Sequence, residues 1–221
     1  MKAVVFDMFE TLVSLYTCDT YQGAEIAADL GIPENTFRSL WNPSEDARAR
    51  GEMTFEEIIT KIMHTFTHFD EAFLNQISKR RRDTLVNVFH SYRPDIIDML
   101  QALKERGIKI ALITNCYFEE RDAIIHSELF KYFDVALMSC EVGIIKPDRA
   151  IFDRCLQELE LNAAECLYVG DGGSHELEAA SAIGMTACQA TWYLKGDTRH
   201  PIRRFSEYLE AVRPMDVLHF I

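Results

Sequence analysis

The chain opens on a short, unbroken apolar run, Ala3 to Phe6, that ends directly on an acid, Asp7. A run of this length without polar alternation fits a strand buried on both faces, and such strands belong to parallel sheets covered by helices. Comparable runs recur at Ile108 to Thr114 (IKIALIT), Val135 to Met138 (VALM) and Cys166 to Val169 (CLYV), with Thr186 to Ala190 (TACQA) as a weaker fifth. Helical patterns lie between them. Arg93-Pro94-Asp95 opens one helix and Gly107 stops it; Asp148 to Leu159 forms a second; Ser174 to Ile183 forms a third, ended by Gly184. Strands alternating with helices predict an α/β fold whose parallel sheet is covered on both faces.

The stretch from about Leu15 to Tyr92 breaks this rhythm. It shows no strand-like run and reads as helical throughout, with breaks at Gly31-Ile32-Pro33, Asn42-Pro43 and Gly51. Thr54-Phe55-Glu56-Glu57 is a capping box that opens a helix running to about Thr67. Residues 15–91 are therefore expected to form an all-helical unit inserted after the first strand of a core made of residues 1–14 and 92–221. The 221 residues suffice for one large domain with such an insert. The formal net charge of -12 disfavours nucleic acid and anionic membranes as partners. It also means that an anionic substrate needs local positive charge or a bound cation. The apolar run at the start is too short for a signal peptide or a membrane span, and no later stretch reaches the roughly 18 apolar residues that a span requires. The six cysteines are scattered without a C-x-x-C pair, as expected of free thiols in a reducing compartment. A cytoplasmic protein, monomeric or homodimeric, is expected.

In open parallel sheets, ligands bind beyond the carboxyl ends of the strands. Polar side chains collect there. The first strand runs into Asp7 (FDMFETL), the second ends at Thr114-Asn115, the third is followed by Gly143-Ile144-Ile145-Lys146-Pro147-Asp148, and the fourth ends at Gly170-Asp171-Gly172-Gly173-Ser174 with Glu176 close behind. Each segment alone is a weak signal, since a carboxylate after a strand is usually a turn residue. Their joint occurrence, in this order, is not.

These four segments resemble the four motifs of the haloacid dehalogenase (HAD) superfamily, and the likeness spans nearly the whole chain. FDMFETL resembles the first motif, whose leading aspartate is the nucleophile; LITN the second, whose hydroxyl residue holds the transferred group; IIKPDRAIF the third, whose lysine balances charge; VGDGGSHELEAA the fourth, whose acids bind magnesium. A helical insert between the first two motifs resembles the cap of the family's first subclass. The resemblance implies a Rossmann-like three-layer core with a cap, and a magnesium-dependent hydrolase acting on a small, phosphorylated molecule. It assigns catalytic roles to Asp7, Thr114 and Lys146, substrate contact to Asn115 and Phe9, and metal binding to Asp7, Phe9 through its carbonyl, Asp171 and Glu176. The residue chemistry agrees. A carboxylate is a feasible nucleophile towards phosphorus, and magnesium reduces its repulsion from a phosphoryl group. A lysine stabilises developing charge, and a threonine hydroxyl can donate to a phosphoryl oxygen.

One departure matters. Phosphatases of this family usually carry a second aspartate two residues after the nucleophile, to protonate the leaving alkoxide and then activate water. Here that position is Phe9, which transfers no proton; general acid–base catalysis is typically worth about 10²–10⁴-fold. An aromatic at this position resembles the metal-independent 2-haloacid dehalogenases, whose halide leaves without a proton, but those lack the Gly-Asp pair retained at Gly170-Asp171. Phosphoryl hydrolysis ranks first, dehalogenation second, and a non-catalytic binding protein third. Glu10, where a small residue is usual, is expected to face solvent.

Other signals carry less. His64 and His68, four apart on a helix, would share a face as an exposed polar stripe. His175 is expected to be exposed, Cys116 to be a wall residue, and the basic run Lys79 to Arg82 to be a solvated face. Tyr16, Asp19, Tyr21 and Trp41 are candidate substrate contacts in the insert, set against the usual burial of aromatics in a helical core.

Overall fold

The computed structural model describes residues 1–19, 21–194 and 204–221. Six strands form one sheet: β1 (Ala3–Phe6), β2 (Lys109–Thr114), β3 (Val135–Met138), β4 (Cys166–Gly170), β5 (Thr186–Ala190) and β6 (Leu209–Ala211). Their order is β3-β2-β1-β4-β5-β6, and every neighbouring pair is parallel. β1 lies in the interior of the sheet. The chain winds one way from it through β2 and β3, then crosses to its other side for β4 to β6, so the crevice beyond its carboxyl end is a topological switch point.

Both faces of β1 are buried, which is why its sequence is continuous rather than alternating. Val4 and Phe6 join Leu112 and Val169 in the cluster beneath helix α6 (Pro94–Glu105). Ala3 and Val5 join Ile113 and Tyr168 in the cluster beneath α9 (Arg149–Leu159) and α10 (Glu176–Ala182). The α/β class, the parallel sheet and its two covered faces are as the sequence predicts. α9 starts where Asp148 caps the Ala150 N–H at 3.0 Å. α10 starts two residues later than its apolar pattern implies, because His175 adopts a left-handed conformation (φ 54°). The sequence reading passes over β6, whose Leu209 and Glu210 are exposed on the sheet edge.

Between β1 and α6 lie α1 (Gly23–Asp29), α2 (Glu34–Trp41), α3 (Glu45–Ala49), α4 (Phe55–Phe66) and α5 (Glu71–Val88). They enclose a cluster of their own, which includes Phe37, Trp41, Ile58 and Ile62. α4 opens as its capping box dictates: Thr54 Oγ1 accepts from Glu57 N at 3.2 Å while the Glu57 carboxylate takes the Thr54 N–H at 2.7 Å. Its end corrects one expectation. The helix stops at Phe66, so His68 lies beyond it and does not share a helical face with His64. His64 stacks on Phe69 instead, with ring centroids 4.9 Å apart.

Contacts of several kinds tie this block to the sheet domain. The end of α5 contributes Leu85 and Val88 to the cluster under α6. Arg81 of α5 reaches Glu120 of α7 (Phe118–His126) at 2.7 Å and Glu119 at 3.4 Å, all three being buried. Gly51 (φ 73°) sits against α8 (Ser139–Val142): a Cβ there would lie 2.0 Å from the Cys140 carbonyl oxygen. Only glycine meets both the backbone conformation and the close approach.

Two outcomes are expected. Gly51→Ala combines left-handed strain with overpacking and should lower the unfolding free energy by about 2–4 kcal/mol, read by urea denaturation; a loss below about 0.5 kcal/mol would mean that the contact is not tight. Burial pushes Glu120 up to about 7, outweighing the opposing pull of Arg81. The folded chain then holds a proton that the unfolded chain releases above the ordinary glutamate value, so this group's contribution falls as pH rises from about 4.5 to 7. The stability of wild type relative to Glu120→Gln should decline across that window; a flat or rising difference would contradict the assignment.

Candidate active site

The floor of the crevice is built by strand ends. Asp7 follows β1, and its N–H continues the sheet by donating to Val169 O at 2.9 Å. Its Oδ1 accepts from Met8 N at 2.7 Å and lies 2.6 Å from Lys146 Nζ. Oδ2 carries neither contact. Lys146 comes from the loop after β3, and it is 3% exposed. Its backbone is locked to the loop after β2: Lys146 N donates to Asn115 Oδ1 at 2.7 Å, and Asn115 Nδ2 donates to Lys146 O at 3.1 Å. Its ammonium also reaches the Tyr168 hydroxyl at 3.5 Å.

Three of the strand-end acids converge. Ligand-capable oxygens of Asp7, Asp171 and Glu176 all lie within 4.8 Å of one another, and all three residues are buried. Asp171 follows β4; its Oδ1 accepts from Gly173 N at 3.1 Å and its carbonyl from Gln189 Nε2 at 2.9 Å. Glu176 is wholly buried. Its Oε1 accepts from Gly172 N at 2.6 Å and its Oε2 from Ser174 N at 2.7 Å, so this carboxylate shapes the loop that carries Asp171. Gly170 leaves the space it needs, since a Cβ there would meet Glu176 Oε1 at 2.7 Å.

Three buried acids face one ammonium, and the charges shift accordingly. Burial, then the negative charges of Asp7 and Glu176, push Asp171 up to about 8. Burial likewise raises Asp7, with Lys146 working against it. Burial alone would depress Lys146, but Asp7 and Glu176 outweigh it and hold the ammonium above its ordinary value. The cluster thus resists full deprotonation, a penalty that a bound cation would relieve.

Two cavities lie over this floor. The smaller, of ≈ 200 Å³, is lined by Asp7, Phe9, Asn115, Lys146, Asp171 and Ser174 among others. The larger, of ≈ 580 Å³, shares Phe9, Leu15, Asn115, Lys146 and Ser174 with it and extends to Trp41 and Glu45 of the helical block and to Tyr117. The fit is that of a reaction site opening into a pocket for the rest of a small molecule.

Several expected residues are placed differently. Thr114 is fully buried with its hydroxyl 3.4 Å from Asn115 O, and it lines neither cavity, so no donation into the crevice is set up by this arrangement. Glu10 corrects the expectation that it faces solvent. It is 4% exposed and left-handed (φ 56°), and its carboxylate accepts from Ser14 Oγ and Leu15 N, both at 2.7 Å. The loop must fold back over its own acid to satisfy those groups. Tyr16 lines the smaller cavity and Trp41 the larger. Asp19 is exposed and lines neither, while Tyr21 is a core residue of the helical block whose hydroxyl donates to Asp29 at 2.8 Å. His175 lines the larger cavity with a largely exposed ring. Cys116, expected as a wall residue, lines neither cavity; it is buried in the core, its sulfur 3.8 Å from that of Cys140. Sequence reasoning missed Tyr168, Gln189 and Ser139. The last pins the Cys116 backbone from both sides, accepting from its N–H at 3.0 Å and donating to its carbonyl at 3.2 Å. Their one signal is a polar residue at or beside the end of an otherwise apolar run.

Comparison with known proteins bears on the whole arrangement. The model of the haloacid dehalogenase-like hydrolases matches residues 1–184. A glyceraldehyde 3-phosphate phosphatase of Methanopyrus kandleri is 24% identical over 84% of this chain and 82% of its own length. An (S)-2-haloacid dehalogenase of a Pseudomonas species is also 24% identical, over 85% and 82%. The acyl-CoA dehydrogenase family member 10 of Mus musculus is 33% identical over 42% of this chain, which spans only 8% of that protein. The crystal structure of a HAD phosphatase from Thermococcus onnurineus superposes with a TM-score of 0.68 at 21% identity, covering 100% of this chain and 97% of that one, and so shares its fold. With a family match across both the sheet and the helical block, and with its acids and lysine gathered at the strand ends, the chain belongs to the haloacid dehalogenase-like hydrolases.

Proposed function

We propose that the chain is a magnesium-dependent phosphatase that hydrolyses a small phosphorylated metabolite through an aspartyl phosphate on Asp7. The observation that carries this reading is the convergence of Asp7, Asp171 and Glu176 within 4.8 Å in a buried pocket with Lys146 at its edge. Hard carboxylate oxygens in excess over positive charge suit a divalent cation of the magnesium type. Asp7 and Asp171 would hold it, with the Phe9 carbonyl, and Glu176 would act through the loop it braces or through water. When bound, the cation screens the acids and draws the phosphoryl oxygens towards the nucleophile.

The chain's own residues supply the rest. Lys146 and the Met8 N–H hold Oδ1 of Asp7, which orients the carboxylate and leaves Oδ2 to attack phosphorus. The new bond joins Oδ2 to phosphorus as the bond to the leaving oxygen breaks. Lys146 then stabilises charge on the equatorial oxygens. Attack of water on phosphorus releases inorganic phosphate and restores Asp7. Asn115 shapes the pocket by holding Lys146 in place. Phe9 gives the leaving oxygen no proton, so the reading favours a leaving group that departs as a stable anion or takes its proton from solvent. The helical block is the cap over the site and its side chains select the substrate.

The likeness to a phosphatase and to a dehalogenase supports both chemistries, and Phe9 favours the second. The acid cluster supports the first, because three carboxyls without a cation would repel a haloacid carboxylate. The net charge of -12 accords with a small-molecule enzyme without nucleic-acid or membrane partners, and no helix among the described residues is long and apolar enough to cross a membrane. A cytoplasmic monomer or homodimer fits this reading.

With magnesium, the protein should hydrolyse p-nitrophenyl phosphate, and chelation or Asp7→Asn should reduce the rate to below about one-thousandth. Turnover unaffected by either change, or halide release from a 2-haloacid in the presence of chelator, would overturn the reading. Phe9→Asp should raise turnover of an unactivated alkyl phosphate by about 10²-fold, the lower end of what a general acid contributes. A rate for that substrate no higher than wild type would mean that the aromatic is not what limits leaving-group departure.

A further inference from the structure

Arg48 of α3 heads the fully buried side chains by volume. Its guanidinium carbon lies 3.8 Å from the ring centroid of Trp41 and 4.2 Å from that of Tyr117. Its Nε donates to Ser44 Oγ at 3.0 Å. Its two terminal nitrogens, Nη1 and Nη2, are buried and have no hydrogen-bond partner among the described residues. An ordinary surface or core role does not produce this combination. A buried donor left without a partner is destabilising, the more so when it is charged, so buried cations are normally paired.

The neighbouring acids are committed elsewhere. Glu120 takes Arg81 Nη2 at 2.7 Å and the Tyr117 N–H at 3.1 Å. Glu45, one turn before Arg48 on the same helix, lines the larger cavity and forms no ion pair with it among the described residues. Trp41, Glu45, Ala49 and Tyr117 all line that cavity, which places the guanidinium immediately behind its wall. The two rings also come from opposite sides of the crevice: Trp41 from the helical block, Tyr117 from the loop that caps α7. Movement of the block away from the sheet would therefore separate the two rings that hold the guanidinium.

We propose that Arg48 anchors a carboxylate carried on the leaving group of the substrate. This rests on the phosphatase reading and narrows its substrate class to phosphomonoesters with an acidic tail. The coplanar Nη1 and Nη2 form the fork that pairs bidentately with a carboxylate. Glu45 and Asp46 make the wall beside Arg48 acidic, while Arg38 and Arg81 line the cavity elsewhere; those two are engaged by Glu34 and by Glu120 and the Tyr21 carbonyl, whereas the fork of Arg48 has no partner among the described residues. A neutral tail leaves the buried cation unpaired. Discrimination thus comes from the penalty on the wrong substrate as well as the gain on the right one.

The test compares kcat/KM, with magnesium, for phosphoglycolate against ethyl phosphate and for phosphogluconate against sorbitol phosphate, a short and a long tail each with and without the carboxylate. In at least one pair the acidic ester should be preferred by about 10-fold or more. Arg48→Met should bring that ratio to within about 3-fold of unity, and Arg48→Lys, which keeps the charge but not the fork, should fall between. If Arg48→Met does not fold, the ratio in Arg48→Lys and the calorimetric affinity of Asp7→Asn protein for the two members of the preferred pair decide the matter. Turnover of the esters with no preference for the acidic tail, or a preference that survives Arg48→Met, overturns the assignment, as a guanidinium merely satisfied by buried water requires. If neither these esters nor p-nitrophenyl phosphate is turned over, the phosphatase reading itself fails and Arg48 loses its role with it.

Discussion

The contact on which this site depends is the one between Lys146 and Asp7, 2.6 Å long and almost wholly buried. It joins the end of an interior strand to a loop that follows the edge strand β3, two positions away in the sheet. A buried ion pair contributes little net stability of its own, because the desolvation of both ions offsets their attraction. What it does is fix charge. Even with the ammonium, burial and the neighbouring acids push Asp171 up to about 8, so one lysine does not suffice to hold all three acids deprotonated at neutral pH. Without the acids, the ammonium could not remain charged away from water. The supports around the pair are correspondingly dense. Asn115 grips the Lys146 backbone twice, Met8 holds the same carboxylate oxygen, and Tyr168 stands behind the ammonium.

How much of this was legible in the sequence follows from the physics of each element. β1, β2 and β4 are short apolar runs because both their faces are buried, and that pattern survives without any knowledge of partners. The residues that leave them, Asp7, Asn115 and Asp171, were legible for the same reason: a polar residue at the end of such a run has nowhere to go except the crevice. β6 was not, since Leu209 and Glu210 are exposed at an edge and only Ala211 carries a burial signal. The start of α10 was misplaced because His175 breaks the helix by backbone conformation, which leaves no trace in hydropathy.

The side chains that sequence reasoning missed act through contacts remote in the chain. Gln189 supports Asp171 from the neighbouring strand across 18 residues, and Ser139 pins Cys116 across 23. Nothing local distinguishes either from a tolerated polar residue. Arg48 carries no local signal either. In the sequence it is one of several charges on a short helix, whereas in three dimensions it is more deeply buried than most of the aromatics around it. The helical block is where sequence patterns say least about function, because its apolar positions satisfy its own core and its functional positions are the few that do not.

Glu10 bears most directly on the chemistry, because it is the acid closest in sequence to the position where a proton donor is lacking. Its carboxylate lines the same cavity as Asp7, which invites the idea that it replaces the missing acid. Its contacts argue otherwise. One oxygen accepts from Leu15 N and the other from Ser14 Oγ, at 2.7 Å each, and the residue is held in a left-handed conformation that a glycine would adopt without strain. A group recruited to shuttle protons needs a free oxygen and a path to the leaving atom, and both oxygens here are committed to closing the loop. The strain is instead offset by those two hydrogen bonds, and the loop they close carries Phe9 into the wall of the cavity that Asp7 also lines. Burial of Trp192, whose indole N–H donates to the Thr11 carbonyl at 2.8 Å, fixes the far side of the same loop. Glu10 is thus a brace, and the aromatic beside Asp7 is held in place by design of the fold rather than left there by the loss of an acid. A loop fixed so firmly around Phe9 leaves no side chain at that position to transfer a proton.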